Sequence, residues 1–172
     1  MANTWTGLVT ARAFAASSVN AGILNAGTRV LRLRRHGLLN NQTAAVTGVI
    51  CLMELRWYSG AGWTTPTSVA SIAHDSTNSA LSSVTHGYAG TPTGTSNLLR
   101  RVLWSSDEAA ASTATNDELE CIVPLNIVWD AGYADANVQA LTIRQNESFI
   151  NYNTSGAAGL VDLWSEFTDE AT

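Results

Sequence analysis

The chain has 172 residues and a mass of 18.2 kDa, which is the size of a single domain. Nine Arg, no Lys and fourteen Asp plus Glu give a formal charge of −5, which argues against a nucleic-acid-binding protein. Only 13% of the residues are charged and 45% are apolar, which excludes an ordinary disordered chain. The sequence holds no apolar run near the ~20 residues of a membrane-spanning helix, and its N-terminus lacks the pattern of a signal peptide. We therefore expect a globular domain without nucleic-acid or membrane partners.

Apolar residues recur mostly at every second position, which predicts β-strands. In residues 47–57 the apolar side chains alternate with Glu54 and Arg56, the pattern of a half-buried strand. Residues 119–129 repeat this pattern, and Pro124 within them indicates an edge or bulged strand. Helical periodicity is scarce, with weak candidates only at 11–23 and just after Ser106. Further predicted strands cover residues 4–14, 28–35, 98–105, 138–144, 148–152 and 161–167.

About eight strands separated by turns rich in Gly, Asn and Ser predict an all-β fold. We expect an antiparallel, jelly-roll-like β-sandwich, with an N-terminal arm and first strand in residues 1–27 and one sandwich domain in residues 28–172. Residues 64–95 are rich in Ser, Thr, Gly and Ala, and we interpret them as a long surface excursion with a short strand near 69–73.

The cysteines and histidines suggest structural positions rather than a reactive centre. Cys51 and Cys121 each alternate with apolar residues, so we expect both in the core and reduced, although a disulfide between facing strands remains an alternative. His36 and His86 each precede a glycine and are interpreted as turn residues, and His74 is interpreted as a loop residue. No nucleophile, metal or phosphate-binding motif occurs. The sequence therefore predicts neither an enzyme nor a cofactor.

Two acidic segments are weaker candidates for a site. One runs from Asp107 to Glu120, and the other, from Asp130 to Asp135, follows a predicted strand. We interpret both as solvated loops, with Ca²⁺ binding or a glycosidase-like acid pair as alternatives.

Arginine and tryptophan side chains are the candidates for contacts with a partner protein. In an extended segment, Arg32 and Arg34 lie opposite two leucines and can pair with a partner's carboxylates; a plain solvent-facing strand is the alternative. Trp5 in the N-terminal arm could anchor it on a neighbour, and Trp63 in a predicted turn could stack on a partner or a sugar. For both indoles a packed structural role is the favoured interpretation, and a contact with a partner is the alternative.

Four stretches of the chain resemble a known class of proteins. RVLRLRRHGLLNNQTAAVTGVICLMEL, NLLRRVLWSSDE, DELECIVPLNIVWDAGYAD and NTSGAAGLVDLWSEFT are similar to small β-sandwich virion proteins of tailed bacteriophages. The resemblance implies a head-decoration or cement protein, a jelly-roll homotrimer that binds the major capsid protein where its subunits meet. It implies assembly into the virion in the host cytoplasm and no catalytic residues.

Two other functions remain open from the sequence. A glycan-binding module of a phage tail or fibre would present Trp63, Tyr88 or Tyr133 from loops as stacking platforms. A hydrolase would use the acids of residues 107–120 or 130–135.

Overall fold

The computed structural model describes residues 2–41, 49–106, 126–131, 139–155 and 159–170. These residues form strands joined by turns, and no helix occurs among them. The strands are β1 (Asn3–Ala13), β2 (Ser18–Asn25), β3 (Val30–Asn40), β4 (Val49–Thr64), β5 (Thr67–Val69), β6 (Ser71–Ala73), β7 (Val84–Tyr88), β8 (Thr91–Ser106), β9 (Asn126–Asp130), β10 (Leu141–Ile143), β11 (Glu147–Asn153) and β12 (Leu160–Glu170).

The strands form two antiparallel sheets. Sheet 1 has the order β10-β3-β12-β1-β6, with β9 also paired to β3, and sheet 2 has the order β5-β7-β2-β11-β4-β8. The prediction of an all-β antiparallel sandwich is confirmed. The strands outnumber the predicted eight because residues 18–25 form β2 and the excursion at 64–95 contributes β5, β6 and β7, which extend the two sheets beyond β1 and β2.

One hydrophobic core joins the two sheets. Alternation along each strand directs one set of side chains inward, and their burial supplies ~1.5–3 kcal/mol for each large apolar residue. Sheet 1 contributes Trp5, Val9, Leu31, Leu33, Leu38, Leu163 and Phe167, and sheet 2 contributes Ile23, Cys51, Met53, Leu55 and Phe149. Cys51 is thereby confirmed as a core residue, whereas Cys121 lies outside the described residues.

The N-terminal residues belong to the interior of both sheets. β1 lies between β12 and β6, and β2 lies between β7 and β11, so the segment assigned to an arm and a first strand supplies two strands. The alternative of a helix at 11–23 is wrong for the part that forms β2, where Ala21 and Ile23 face the core with a period of two. Ala11 has a φ of 50° at a bulge in β1, and its N–H donates to Asp162 Oδ1 at 2.7 Å.

The interpretation of His36 and His86 as turn residues is wrong. His36 lies within β3 and His86 within β7, and both are buried. The glycine after His36 serves close packing instead of a turn, since a Cβ on Gly37 would lie 2.6 Å from the indole Nε1 of Trp164. A glycine next to a histidine therefore marked a crowded strand position that local sequence does not distinguish from a turn.

Two glycines with similar backbone angles provide a matched test of the turn before β8. Gly90 has a φ of +67° and Gly60 a φ of +58°, but a Cβ would lie 2.5 Å from Thr64 O at Gly90 and would meet nothing within 4 Å at Gly60. We expect Gly60→Ala to lower the free energy of unfolding by about 1 kcal/mol, the cost of the left-handed conformation. Gly90→Ala should lose about 1–3 kcal/mol more because of the clash. Urea titrations measure both values, and equal losses would contradict this packing.

Candidate functional site

A row of apolar side chains crosses the outer face of sheet 1. Leu8 of β1 pairs with Trp164 of β12, Trp164 with Gly37 of β3, and Gly37 with Ile127 of β9. The indole of Trp164 fills the space that a side chain at Gly37 would occupy. Leu8 and Ile127 are each 43% exposed although they are large and apolar. The register of four strands thus brings residues from distant parts of the chain onto one surface.

Two more exposed side chains flank this row. Ile72 of β6 pairs with Thr6 and is 67% exposed, and Leu39 of β3 pairs with Asp162 and is also exposed. We call Leu8, Leu39, Ile72, Ile127 and Trp164 the apolar row. Apolar side chains gathered on one exposed face are typical of a protein–protein contact surface.

Two ion pairs connect β3 to its neighbouring strands in sheet 1. Arg32 Nε lies 2.8 Å from Glu170 Oε2, and Arg35 Nε lies 3.4 Å from Asp130 Oδ2. Arg32 is therefore on the outer face, as predicted, but its charge is paired within its own sheet. Arg34 lies at the bulge where the register of β3 with β12 shifts, and it is only partly exposed. The two arginines do not form one exposed cationic pair.

Both tryptophans predicted as partner contacts are buried within this chain. Trp5 occupies a core-facing position of β1, and its Nε1 donates to Asp169 Oδ1 at 3.2 Å. Trp63 lies in β4 rather than in a turn; it packs with Tyr58 on the outer face of sheet 2, and its Nε1 donates to Ala89 O at 2.8 Å. Both indoles therefore have the packed structural role, and the prediction of a turn at Trp63 was wrong because β4 continues to Thr64.

The other rings proposed for sugar stacking are not exposed platforms in the described residues. Tyr88 is partly buried, and the Arg12 guanidinium lies 5.2 Å from its ring centroid. Among the described residues, the large apolar side chains that are exposed are all Leu or Ile. Tyr133 lies outside the described residues.

The acidic segments contribute little to the described surface. Asp130 is paired with Arg35, whereas Asp135 and residues 107–120 lie outside the described residues. In the part of the chain that the structure describes, three or more His, Cys, Asp or Glu side chains nowhere come close enough to hold a metal ion.

A chain of polar side chains, which sequence reasoning missed, crosses the core between the sheets. Asn151 donates from Nδ2 to His36 Nε2 at 2.9 Å, and Asn151 Oδ1 accepts from Asn20 Nδ2 at 3.3 Å. His36 therefore carries its proton on Nδ1, which lies 3.0 Å from Ser165 Oγ. The order Ser–His–Asn is that of a nucleophile, a base and an orienting group. All of these side chains are at most 1% exposed, so a substrate cannot reach Ser165. The hydrogen bonds instead link sheet 1, through His36 and Ser165, to sheet 2, through Asn151 and Asn20.

A second buried imidazole lies beside this polar chain. The His86 ring packs against the backbone of Gly7 across the sandwich, and neither ring nitrogen has a hydrogen-bond partner among the described residues. Burial lowers the pKa of His86 to about 4. Burial, followed by the proximity of His86, lowers the pKa of His36 to about 3. Both histidines are thus neutral near pH 7.

A charged cluster on the outer face of sheet 2 is centred on Glu54. Its Oε2 accepts from Arg56 Nη2 at 2.5 Å and its Oε1 accepts from Arg101 Nε at 3.0 Å. The Arg56 guanidinium also lies 4.3 Å from the Tyr152 ring centroid. The hydrogen bond from Arg56, followed by that from Arg101, holds the pKa of Glu54 below its ordinary value. The carboxylate is therefore ionised and holds β4 and β8 together.

Removing this charge is expected to destabilise the sheet. Glu54→Gln keeps the shape but loses two charge-assisted bonds, so the free energy of unfolding should fall by about 2 kcal/mol. Arg101→Gln removes only the exposed partner and should cost less than about 1 kcal/mol. Thermal unfolding at neutral pH measures both. A loss for Glu54→Gln no larger than that for Arg101→Gln would contradict the central role of the carboxylate.

Comparison with protein-family models, curated proteins and solved structures finds no match for this chain. Within the described residues, no helix has the length and apolar character needed to cross a membrane.

Proposed function

We propose that this chain is a structural protein of a bacteriophage virion that binds the assembled head shell as a decoration or cement protein. The apolar row on the outer face of sheet 1 is the observation that carries the proposal. A sheet face with Ile72 67% exposed and Leu8 43% exposed suits burial against another folded protein. The ion pairs of β3 with its neighbouring strands would form the polar rim of such an interface.

The strand order supports a jelly roll, the fold that the virion resemblance implies. The central strands follow the order β1-β12-β3-β9 in sheet 1 and β2-β11-β4-β8 in sheet 2. The first strand thus pairs with the last, and the second with the next to last. This nesting is what results when one long antiparallel hairpin is wound into a sandwich, and we infer a jelly-roll topology from it.

Stabilisation of the shell would follow from selective binding. A protein that binds the assembled shell and not its separated subunits shifts the equilibrium towards the assembled state. A homotrimer would present three copies of the apolar row to a junction of major capsid subunits, and multivalency would multiply a modest affinity. No described residue favours the glycan-binding alternative, since Trp63 is buried and Tyr88 lies beside Arg12.

Co-sedimentation with phage heads tests this proposal. Heads assembled without the chain are mixed with purified protein and pelleted through a sucrose cushion. We expect saturable binding that Leu8→Glu and Ile72→Glu each reduce at least about tenfold, since a buried unpaired charge is strongly unfavourable. Leu103→Glu is the matched control, because Leu103 is also 67% exposed but lies on sheet 2. Absence of saturable binding would contradict the proposal.

A further inference from the structure

In the part of the chain that the structure describes, β8 forms an edge of sheet 2 with no strand on its outer side. β8 has 16 residues and ends the strand order of its sheet, so within the described residues it pairs only with β4. Its residues 93–101 are all exposed. Unpaired backbone N–H and C=O groups on such an edge are a template for an additional strand. Ordinary edge protection by lysine is lacking here, since the chain has none.

The outer side of this edge carries one cation between apolar side chains. Arg101 faces Glu54 across the ladder, while Leu98 and Leu103 pair with the outward positions Arg56 and Leu52. The Arg101 side chain is 64% exposed even though its Nε bonds Glu54. Leu98 and Leu103 are 51% and 67% exposed. Apolar side chains therefore lie on both sides of a guanidinium along this edge.

The inner side of the edge carries a second cation beside a cavity. Arg100 pairs with the core-facing position Leu55, and its Nη1 donates to Val128 O of β9 at 3.0 Å. Arg100 thus bridges the rims of the two sheets. A cavity of about 150 Å³ opens there, lined by Arg100, Arg101, Val102, Ile127 and Val128. An acidic side chain entering this cavity would meet the remaining donors of Arg100.

We propose that the β8 edge binds an extended acidic segment of a partner protein as an added strand, with two adjacent carboxylates placed against Arg100 and Arg101. Adjacent residues of a strand point to opposite faces, so consecutive acids are the arrangement that meets both arginines. The described carboxylate beside them, Glu54, already accepts hydrogen bonds on both oxygens. The two arginines are therefore a local cationic site on a chain whose formal charge is −5.

The bulge in β8 sets the length of the segment. Leu99 is an extra residue between Leu98, which pairs with Arg56, and Arg100, which pairs with Leu55. A bulge interrupts regular pairing, so the added strand would follow the ladder over residues 100–106 and stop at Leu99. The bound segment would therefore be short, with its two acids near one end and apolar residues along the rest. This surface shares Ile127 with the apolar row of sheet 1 but is centred on β8 of sheet 2, and the inference goes beyond the proposed function.

Peptide binding to the full chain tests the proposal. The probe is a fluorescein-labelled nine-residue peptide of alternating Val and Thr that carries Glu-Glu near one end, compared with Gln-Gln and Lys-Lys versions. We expect the Glu-Glu peptide to bind at least about tenfold more tightly than the Gln-Gln peptide, because two charge-assisted bonds are gained. Added salt should reduce this difference. Two further peptides carry N-methyl groups on alternate backbone nitrogens, one at the odd and one at the even positions. Only one of these two sets of N–H groups would face β8, so one peptide should lose binding and the other should retain it.

Variants of the two arginines test whether the peptide binds at the β8 edge. Arg100→Gln and Arg101→Gln should each weaken the Glu-Glu peptide by about tenfold. Arg144→Gln, which removes an exposed cation from the turn between β10 and β11, should leave the affinity unchanged. Equal binding of the three peptides, no saturation at millimolar peptide, or unchanged affinity in both edge variants would overturn the proposal. So would light scattering that shows a dimer closed through β8, since a second copy would then occupy the edge.

The head assay separates this inference from the proposed function. Loss of peptide binding in Arg100→Gln with saturable head binding retained would support a second, distinct contact surface. Failure of the peptide to bind would overturn only the β8 inference, whereas failure of head binding would overturn only the proposed function.

Discussion

Lowering the pH from 7 to 4 is expected to remove much of the free energy of unfolding, because two histidines are buried in their neutral form. Folding lowers the pKa of His36 to about 3 and that of His86 to about 4, from 6.5. The unfolded chain therefore binds more protons than the folded one between about pH 6.5 and 3, and stability falls as the pH drops through this window. Linkage gives a loss of up to about 3 kcal/mol for each histidine at pH 4.

Replacement of His86 separates its contribution from general acid denaturation. The His86 ring nitrogens have no hydrogen-bond partners in the described residues, so His86→Leu should remove its share of the pH dependence and raise stability at pH 5. His74→Gln is the control, because that imidazole is exposed and lies 2.7 Å from Thr6 Oγ1. Urea titrations from pH 4 to 8 measure the slopes. A wild-type slope that persists unchanged in His86→Leu would contradict the contribution of His86 to the acid sensitivity.

Asn151→Ala is expected to lower the free energy of unfolding by at least about 3 kcal/mol. Asn151 is fully buried and is the central link between His36 of sheet 1 and Asn20 of sheet 2. Its removal leaves two buried polar groups without partners and opens a cavity between the sheets. Both effects act in the same direction.

An exposed asparagine provides the comparison. Asn97→Ala, in the exposed part of β8, should change the free energy of unfolding by less than about 0.5 kcal/mol. Both variants are compared by chemical denaturation at pH 7, where the histidines are neutral. Similar values for the two variants would mean that the polar chain does not hold the sheets together.

The period-two pattern predicted most of the strands because burial on one face is a local property of each segment. Cys51, Met53 and Leu55 were correctly assigned to a core-facing row for this reason. The same pattern does not reveal which of two faces is covered. Trp5, for example, lies at a core-facing position of the alternating pattern in β1. Its burial against Asp169 nevertheless depends on a strand more than 150 residues away in the sequence.

The candidate site was harder to predict because it depends on strand register. Leu8, Trp164 and Ile127 come together only through pairings between distant segments, and a single sequence does not encode those pairings in a local pattern. One signal was visible: Trp164 lies between Asp162 and Glu166, on the wet face of its strand. A large apolar residue on a charged face was a local indication of a contact surface.

DNA retention by heads tests the central claim most directly. Heads with and without the bound chain are heated in steps, and released DNA is measured with an impermeant dye. A protein that stabilises the assembled shell should raise the temperature of DNA release, and Leu8→Glu should abolish this increase while Leu103→Glu retains it. The same release temperature with and without the wild-type chain, at a concentration that saturates the heads, would contradict the proposed function.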